Sequence, residues 1–363
     1  MNDDMLKELG VKRGEIDAID AQLLELLNAR ARCAEAVGEI KTRYGALGHI
    51  YRPEREAQVL RRIQDLNGGP LPNESVTFFF REVMSACLSL ERPLSIAFLG
   101  PLGSFSEAAS VKQFGHAARL QPQASIDDVF REVEAGHVDY AVVPVENSTG
   151  GAVGRSLDLL LSTPLSVCGE VVLRVHQHLL TRSPALADVK KVYSHAQSLS
   201  QCHEWLNRML PQAERVAVDS NSLGAQMAAA EDGAAAIAGQ AAAERYGLTA
   251  LGSNIEDEPN NTTRFLVLGH HDAGPSGADK TSLIMSAPNR TGALHELLKP
   301  LADAGVSMTR LESRPARQAL WEYVFYVDVL GHAQDTSLKA AIAALETRAA
   351  FLKVLGSYPQ AVY

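Results

Sequence analysis

Leu94-Ser95-Ile96-Ala97-Phe98-Leu99-Gly100-Pro101-Leu102-Gly103-Ser104-Phe105-Ser106-Glu107 is an apolar run that stops at a glycine-rich turn with hydroxyls beyond it. Such a run reads as a buried strand, and the turn feeds a helix from Ser106 to Phe114. A strand-to-helix turn of this kind aims backbone N–H groups at an anion, although an ordinary helix cap has the same composition. Downstream, helix and strand signals alternate. Strands are expected at Tyr140 to Val145, Ser166 to Val175, Lys191 to Tyr193, Ala234 to Ala238 and Phe265 to Leu268. Helices are expected at Ile126 to Ala135, Leu199 to Met209 and Ser222 to Ala230. Alternation implies a layered α/β domain, long enough for two lobes with a cleft between them.

Upstream the pattern changes period. Ile16, Ile19, Leu23, Leu26, Cys33, Val37 and Ile40 recur at spacings of three and four, the stripe of one long helix. Gly45 and Gly48 interrupt it, Pro53 and Glu54 suit the first turn of a second helix, and a third is expected from Ser75 to Ser89. So long a first helix exceeds what a small core covers, which points to an intertwined homodimer. Beyond the two-lobed region, Gly269 to Asp279 reads as a linker rich in Gly, Pro, Ser and Asp. A strand (Thr281 to Ser286), a helix (Gly292 to Ala304), two strands (Ser307 to Arg314, Tyr323 to Val329), a helix (Thr336 to Thr347) and a last strand (Phe351 to Gly356) then predict a ferredoxin-like α+β unit.

Composition narrows the function. The chain has 363 residues and a formal net charge of -9, with no basic run, so nucleic acid is not an expected partner. No apolar run reaches the roughly 18 residues of a membrane span. Met1 to Lys7 is acidic and polar without a signal core, and the expected location is cytoplasmic, with no membrane partner. Cys33, Cys87, Cys168 and Cys202 form no metal-ligand spacing and read as reduced, buried thiols.

Arg30 stands where the helical stripe calls for an apolar residue, an unfavourable place without an anion. Lys41 follows eleven residues later on the same face, about 16 Å away at ~1.5 Å per residue. Arg13 lies seventeen residues upstream of Arg30, roughly 26 Å off by the same rise. If the three cations serve one small ligand, Arg13 comes from a partner chain. The arrangement Arg13-x-x-Ile16-Asp17, Leu26-Leu27-x-x-Arg30, Val37-Gly38-x-x-Lys41 and Tyr51-Arg52-Pro53-Glu54-Arg55-Glu56 resembles the all-helical chorismate mutases. The resemblance implies that Arg13, Arg30 and Lys41 hold the two carboxylates of chorismate, with Lys41 also reaching its ether oxygen. It implies that Arg55 and Glu56 line the pocket, Glu56 through the substrate hydroxyl. Glu91 and Cys87 fall where relatives carry Gln and Ser. A glutamate donates to an ether oxygen only when protonated, so mutase activity is expected to fall as pH rises.

In the central region, Glu146-Asn147-Ser148, Ser194-His195-Ala196-Gln197-Ser198 through Gln201-Cys202, and Thr263-Arg264-Phe265 together resemble the prephenate dehydratases. By that resemblance Thr263 protonates the leaving hydroxyl of prephenate. Arg264 pairs with a substrate carboxylate, and Ser104, Asn147, Ser148 and Gln201 orient the substrate. Where Ser104 and Gly150 stand, relatives commonly have Thr and an acidic residue; His195 reads equally as a loop residue or a catalytic one. In the C-terminal region Asn289-Arg290-Thr291-Gly292-Ala293-Leu294 and Glu312-Ser313-Arg314-Pro315 resemble the ACT domain of those dehydratases. The resemblance implies that Gly292, Ala293, Leu294, Glu312, Ser313 and Arg314 bind L-phenylalanine between subunits.

The expected architecture is therefore multidomain. An all-α three-helix mutase unit spans 1–92, a two-lobed α/β dehydratase unit of periplasmic-binding-protein type spans 94–270, and an ACT unit spans 279–360. The expected function is bifunctional: chorismate to prephenate, then prephenate to phenylpyruvate, without cofactor or metal and restrained by phenylalanine. A non-catalytic amino-acid sensor would not need Thr263-Arg264-Phe265 together with the three cations. Arogenate is the alternative dehydratase substrate, and a dehydrogenase is not expected because no GxGxxG follows a strand.

Overall fold

The computed structural model describes residues 3–45, 50–287, 290–315 and 323–362. Gly48 and Asn289 lie outside them. The N-terminal region is three helices: α1 (Asp3–Arg43), α2 (Pro53–Leu66) and α3 (Asn73–Glu91). Proline takes the first turn of α2 as the sequence implies, since its missing N–H has no intrahelical partner there. α1 has 41 residues, about 60 Å at the α-helical rise. None of its described residues is buried. Ile16, Ile19, Leu23, Leu26, Val37 and Ile40 all face solvent. Cys33 is exposed too, unlike Cys87, Cys168 and Cys202, because its whole stripe is uncovered. Only the C-terminal part of α1 meets α3, where Gly38 lies against Glu91 so closely that a Cβ would stand 2.6 Å from its Cγ.

The central region is two lobes. The first holds β1 (Ser95–Leu99), α4 (Phe105–Phe114), β2 (Arg119–Gln123), α5 (Ile126–Glu134), β3 (Tyr140–Asn147), β4 (Gly151–Ala152), α6 (Gly154–Ser162) and β5 (Ser166–Arg174). The second holds β6 (His178–Thr181), β7 (Lys191–Ser194), α7 (Ala196–Gln201), α8 (His203–Met209), β8 (Glu214–Ala217), α9 (Asn221–Ala230), β9 (Ala234–Ala238), α10 (Gln240–Tyr246) and β10 (Thr249–Gly252). The chain then returns to the first lobe as β11 (Thr262–Gly269), giving sheet orders β2-β1-β3-β11-β5 and β10-β6-β9-β7-β8. Two crossings between the lobes, after β5 and before β11, frame a cleft. The expected single helix over Leu199 to Met209 is two, broken at Cys202, whose ψ of 21° departs from helical values. β9 is five residues, all buried, four of them alanine. Poor strand propensity is overridden there by burial on both faces.

The C-terminal region is β12 (Asp279–Ser286), α11 (Ala293–Asp303), β13 (Met308–Pro315), β14 (Tyr323–Leu330), α12 (Thr336–Glu346) and β15 (Phe351–Pro359). Its antiparallel sheet has the order β13-β14-β12-β15, which is the ferredoxin-like arrangement. Helices cover one face. The other shares a core with the first lobe: Ile284, Tyr326 and Tyr358 pack with Leu157, Leu160 and Val167. Tyr326 also donates to the carbonyl of Leu157 at 2.7 Å, and Lys353 Nζ donates to the carbonyls of Leu160 and Leu161 at the end of α6.

The segment from Gly269 to Asp279 is not the loose linker expected from its composition. Ala273, Ser276 and Asp279 are buried. Arg61 of α2 donates to the carbonyls of Ser276 (3.1 Å) and Ala278 (2.8 Å). Composition reports what a segment does alone; here neighbours satisfy its backbone groups and hold it in place.

Candidate active sites

The cleft between the lobes is about 280 Å³. Thr263 and Asn147 face each other across β11 and β3, as register partners. Asn147 Nδ2 donates to Thr263 Oγ1 at 2.9 Å and to Asn261 Oδ1 at 2.8 Å. Its Oδ1 accepts from the backbone N–H groups of Thr149 (3.1 Å) and Gly150 (2.8 Å) and from Thr149 Oγ1 (2.8 Å). Those donors fix which end of the amide points at Thr263. A hydroxyl that accepts from Asn147 keeps its own proton for the cleft. Gln201 closes the ring, donating to Thr149 Oγ1 (2.7 Å) and accepting from Asn261 Nδ2 (3.2 Å).

A bulge makes this aim possible. Arg264 pairs with Glu146 but Phe265 pairs with Pro144, so Val145 is the extra residue on β3. Val145 joins the core of the first lobe, while Pro144 and Asn147 both line the cleft. Without the bulge, strict alternation would turn Asn147 away.

The described lining residues include no arginine or lysine. Positive potential comes instead from helix ends. α4, capped by Ser104, and α9, capped by Ser220, both open on the cleft. The shorter α7 and α10 begin there as well, at His195 and Gly239. Helix N-termini present unpaired N–H groups and the positive end of the dipole, a setting for carboxylates.

Several expected residues find other employment. Arg264 does not reach the cleft. It follows Thr263 on a strand, so its side chain takes the opposite face. Its guanidinium, 13% exposed, pairs with Glu170 (2.9 Å) and Asp328 (2.6 Å) and donates to the hydroxyl of Tyr358 (2.8 Å). The assignment of Arg264 to a substrate carboxylate is therefore corrected. Ser148 joins two strands: it accepts from the Thr262 N–H (2.9 Å), donates to the Asn260 carbonyl (3.2 Å) and is absent from the cleft lining. Ser104 lines the cleft, but its hydroxyl accepts from the Glu107 N–H at 3.3 Å and donates to the Leu99 carbonyl at 3.2 Å. His195 caps α7, accepting from the Gln197 N–H at 3.3 Å. The sequence reading missed Asn261 and Asn221, both in the cleft wall. Asn261 stands directly before the Thr-Thr-Arg-Phe run, the one signal that could have flagged it.

The helical region holds a second groove, lined by Lys41, Gly38, Glu91 and residues around them. Lys41 Nζ meets the Glu91 carboxylate at 3.0 and 3.2 Å. Arg30 is half-buried on the same face of α1, and Arg13 is exposed near the far end. Arg55 and Glu56 do not line this groove, contrary to expectation. Pro53, Ala57 and Leu60 are the buried face of α2, and Glu56 shares it while Arg55 faces solvent. Tyr51 anchors the start of α2 against Phe114 and Tyr140 of the first lobe. Glu56 thereby meets Arg81 at 3.5 Å, away from Lys41. Burial pushes its carboxyl up to about 7, with Arg81 opposing the shift. Cys87 is buried one turn before Glu91 and outside the groove lining.

In the C-terminal unit, Gly292 takes a left-handed conformation (φ 76°) as the cap of α11, where glycine meets no Cβ penalty. Ala293 and Leu294 form the first turn of that helix. Glu312, Ser313 and Arg314 lie on β13, the edge strand. Arg314 turns onto α6, 3.5 Å from Asp158, with its guanidinium against Gly154.

One helical groove with a cation, one cleft with a polarised hydroxyl, and one ferredoxin-like unit define a multidomain enzyme with an attached effector-type domain. Residues 12–92 match the family described as chorismate mutase type II, residues 96–273 match prephenate dehydratase, and residues 281–347 match the ACT domain. A bifunctional chorismate mutase/prephenate dehydratase of Neisseria gonorrhoeae is 57% identical over 353 residues, 96% of each chain. A solved prephenate dehydratase of Arthrobacter aurescens, in complex with L-Phe, covers 73% of this chain and 90% of its own at 35% identity and a TM-score of 0.68. A structure described as a quorum-quenching acylase covers 74% of this chain and 98% of its own at 30% identity and a TM-score of 0.67. The chain belongs to the bifunctional chorismate mutase/prephenate dehydratase family.

Proposed function

We propose that this chain rearranges chorismate to prephenate in its helical region and converts prephenate to phenylpyruvate in the interlobe cleft. The observation that carries the second step is the Asn147–Thr263 hydrogen bond at the cleft wall. As carbon dioxide leaves, the electrons of its C–C bond enter the ring and expel the ring hydroxyl. Thr263 gives its proton to that hydroxyl, which departs as water, and regains one from solvent. Threonine is a weak acid, so aromatisation supplies the driving force. Asn147 supports the hydroxyl from behind and the helix N-termini hold the substrate's carboxylates. Ser104 and Gln201 shape the cleft around the substrate.

The first step is an intramolecular [3,3] rearrangement without proton transfer. Its catalyst need only hold the folded conformer and stabilise charge on the ether oxygen. Lys41 and Arg30 of one chain and Arg13 of a second supply that field, and Glu91 lies beside Lys41 where the ether oxygen would stand. The uncovered stripe of α1 supports a homodimer, since a second copy of the same stripe is the natural cover. Neither step calls for a cofactor.

The ACT unit, and the L-Phe bound to the relative from Arthrobacter aurescens, support phenylalanine as feedback inhibitor. Its site is assigned to Gly292, Ala293, Leu294, Glu312, Ser313 and Arg314. The units are taken as 1–92, 94–270 and 279–360. Among the described residues no helix is long and apolar enough to cross a membrane; a cytoplasmic location is part of the proposed reading.

A single time course tests the reading. Chorismate is supplied to the purified protein, and prephenate and phenylpyruvate are quantified with and without phenylalanine. Phenylpyruvate suppressed by phenylalanine is expected. Prephenate accumulating alone would reduce the cleft to a binding module, and no turnover at all would leave only a sensor.

A further inference from the structure

Thr263 and Asn147 are register partners, and so are the residues beside them, Arg264 and Glu146. The first pair faces the cleft; the second faces the C-terminal sheet. Arg264 meets Asp328 on β14 and Tyr358 on β15. Glu146 meets Arg310 on β13 at 3.0 Å. Ser282 on β12 donates to Asp328 (2.5 Å) and shares a 2.7 Å hydrogen bond with Tyr358. Three strands of the C-terminal sheet, β13, β14 and β15, therefore hold the backs of the two strands that carry the dehydratase pair, and β12 braces Asp328 and Tyr358 from within the sheet.

The seam is balanced in charge and buried except at its edge, where the Glu146 side chain is 41% exposed. Arg310 is 10% exposed, and Asp328 and Tyr358 are 4% and 0% exposed. The cations Arg264, Arg310 and Lys280 face Glu146, Glu170 and Asp328, with Lys280 on Glu170 at 2.8 Å. A buried network of this kind does not stretch gradually, because losing one partner strands a charge away from water. Sheet and strands therefore shift together or repack between discrete arrangements.

We infer that this seam is the route by which effector binding on the C-terminal unit reaches Thr263 and Asn147. The inference rests on the reading of that unit as phenylalanine-responsive. β13 carries both Arg310, which holds Glu146, and the Glu312-Ser313 pair assigned to the effector. A ligand that moves or orders this edge strand pulls on the Arg310–Glu146 pair. The adjoining Arg264–Asp328 pair passes the shift to β11. The relay residues are positioning residues and touch no substrate.

The test uses the full-length protein and the variants Asp328→Asn and Arg310→Gln, with Ser282→Ala as a milder third. Binding of labelled phenylalanine is measured by equilibrium dialysis, and dehydratase kcat and KM are measured across a phenylalanine titration. Mutase turnover and melting temperature report folding. In the variants, phenylalanine binding and uninhibited kcat are expected to stay within about threefold of wild type, while the activity that remains at saturating phenylalanine rises by about tenfold, within the usual range of coupling between sites. Variants that bind phenylalanine and are inhibited to the wild-type extent at saturation overturn the relay. Loss of phenylalanine binding also overturns it, by making the seam part of the effector pocket. If Asp328→Asn fails to fold, Ser282→Ala and Arg310→Gln decide the matter. A wild type that binds phenylalanine without inhibition, or does not bind it, overturns the regulatory reading itself.

Discussion

The interlobe cleft and the helical groove are built on opposite principles. The cleft is assembled within one chain: β3 and β11 bring Asn147 to 2.9 Å from Thr263, and two lobes with buried cores wall it in. The groove is unfinished. α1 contributes Lys41 to its lining but buries no described residue, and Arg13 lies too far along the same helix to join it. A two-lobed domain has enough interior to position its own side chains. A long single helix has only a stripe, and a stripe needs a second surface. On the proposed reading, one chain carries a self-sufficient site and a site that a second copy completes.

The sharpest test of that contrast is Thr263→Ala. Dehydratase kcat should fall by about 10²–10⁴, the range for losing a positioned proton donor, with mutase turnover unchanged. Thr263→Ser should recover much of the loss, since the hydroxyl survives. A variant that retains wild-type dehydratase activity would remove Thr263 from the chemistry.

Complementation probes the other side. Arg13→Ala and Lys41→Ala should each lose mutase activity by roughly 10²–10³, comparable with deleting one charge-stabilising donor. Mixing the two under conditions of subunit exchange should restore roughly a quarter of wild-type activity, because half the dimers are mixed and one site in each is intact. Mixing two dehydratase-dead variants, Thr263→Ala and Asn147→Ala, should restore nothing. Restoration in the second mixture, or none in the first, would erase the distinction.

A smaller effect concerns Glu91. If its protonated form donates to the ether oxygen, wild-type mutase activity falls as pH rises, and Glu91→Gln should flatten the profile. A wild-type profile that is already flat would leave Glu91 as only the partner of Lys41.

The least of the four is a stability effect at Glu56. Burial pushes its folded carboxyl up to about 7, above the ordinary value of about 4.5. A raised carboxyl favours the folded state when protonated, so its contribution is fully present below the unfolded value and is lost as pH rises from about 4.5 to about 7. Glu56→Gln should therefore gain stability relative to wild type across that window, on the order of 1–2 kcal/mol after allowing for Arg81. Urea unfolding at a series of pH values would show it. A constant difference would mean that Arg81 holds Glu56 ionised throughout.

Much of this was legible in the residues. The periodic stripe of α1, the proline opening α2, the Leu94–Leu99 strand and the Asn147 and Thr263 motifs all report local rules of burial and turn chemistry. Arg264 was misread because a motif string does not say which face of a strand each member takes. Ser148 was misread for a related reason: a hydroxyl in a polar cluster looks the same whether it holds substrate or backbone. Asn261, the break at Cys202 and the packed segment before Asp279 carry no periodic signal. Glu56 was misplaced because the anchor of α2, Tyr51, finds its partners Phe114 and Tyr140 in another domain.

By itself the sequence determined the order of the units and the type of most elements. Those follow from periodicity and from chemistry local to a few residues. Only the tertiary structure decided that a bulge at Val145 aims Asn147 into the cleft, that helix N-termini take the place of an arginine there, and that Arg264 is held by Asp328 and Tyr358. Direction and partnership are set by contacts between residues far apart in the chain, and no local pattern encodes them.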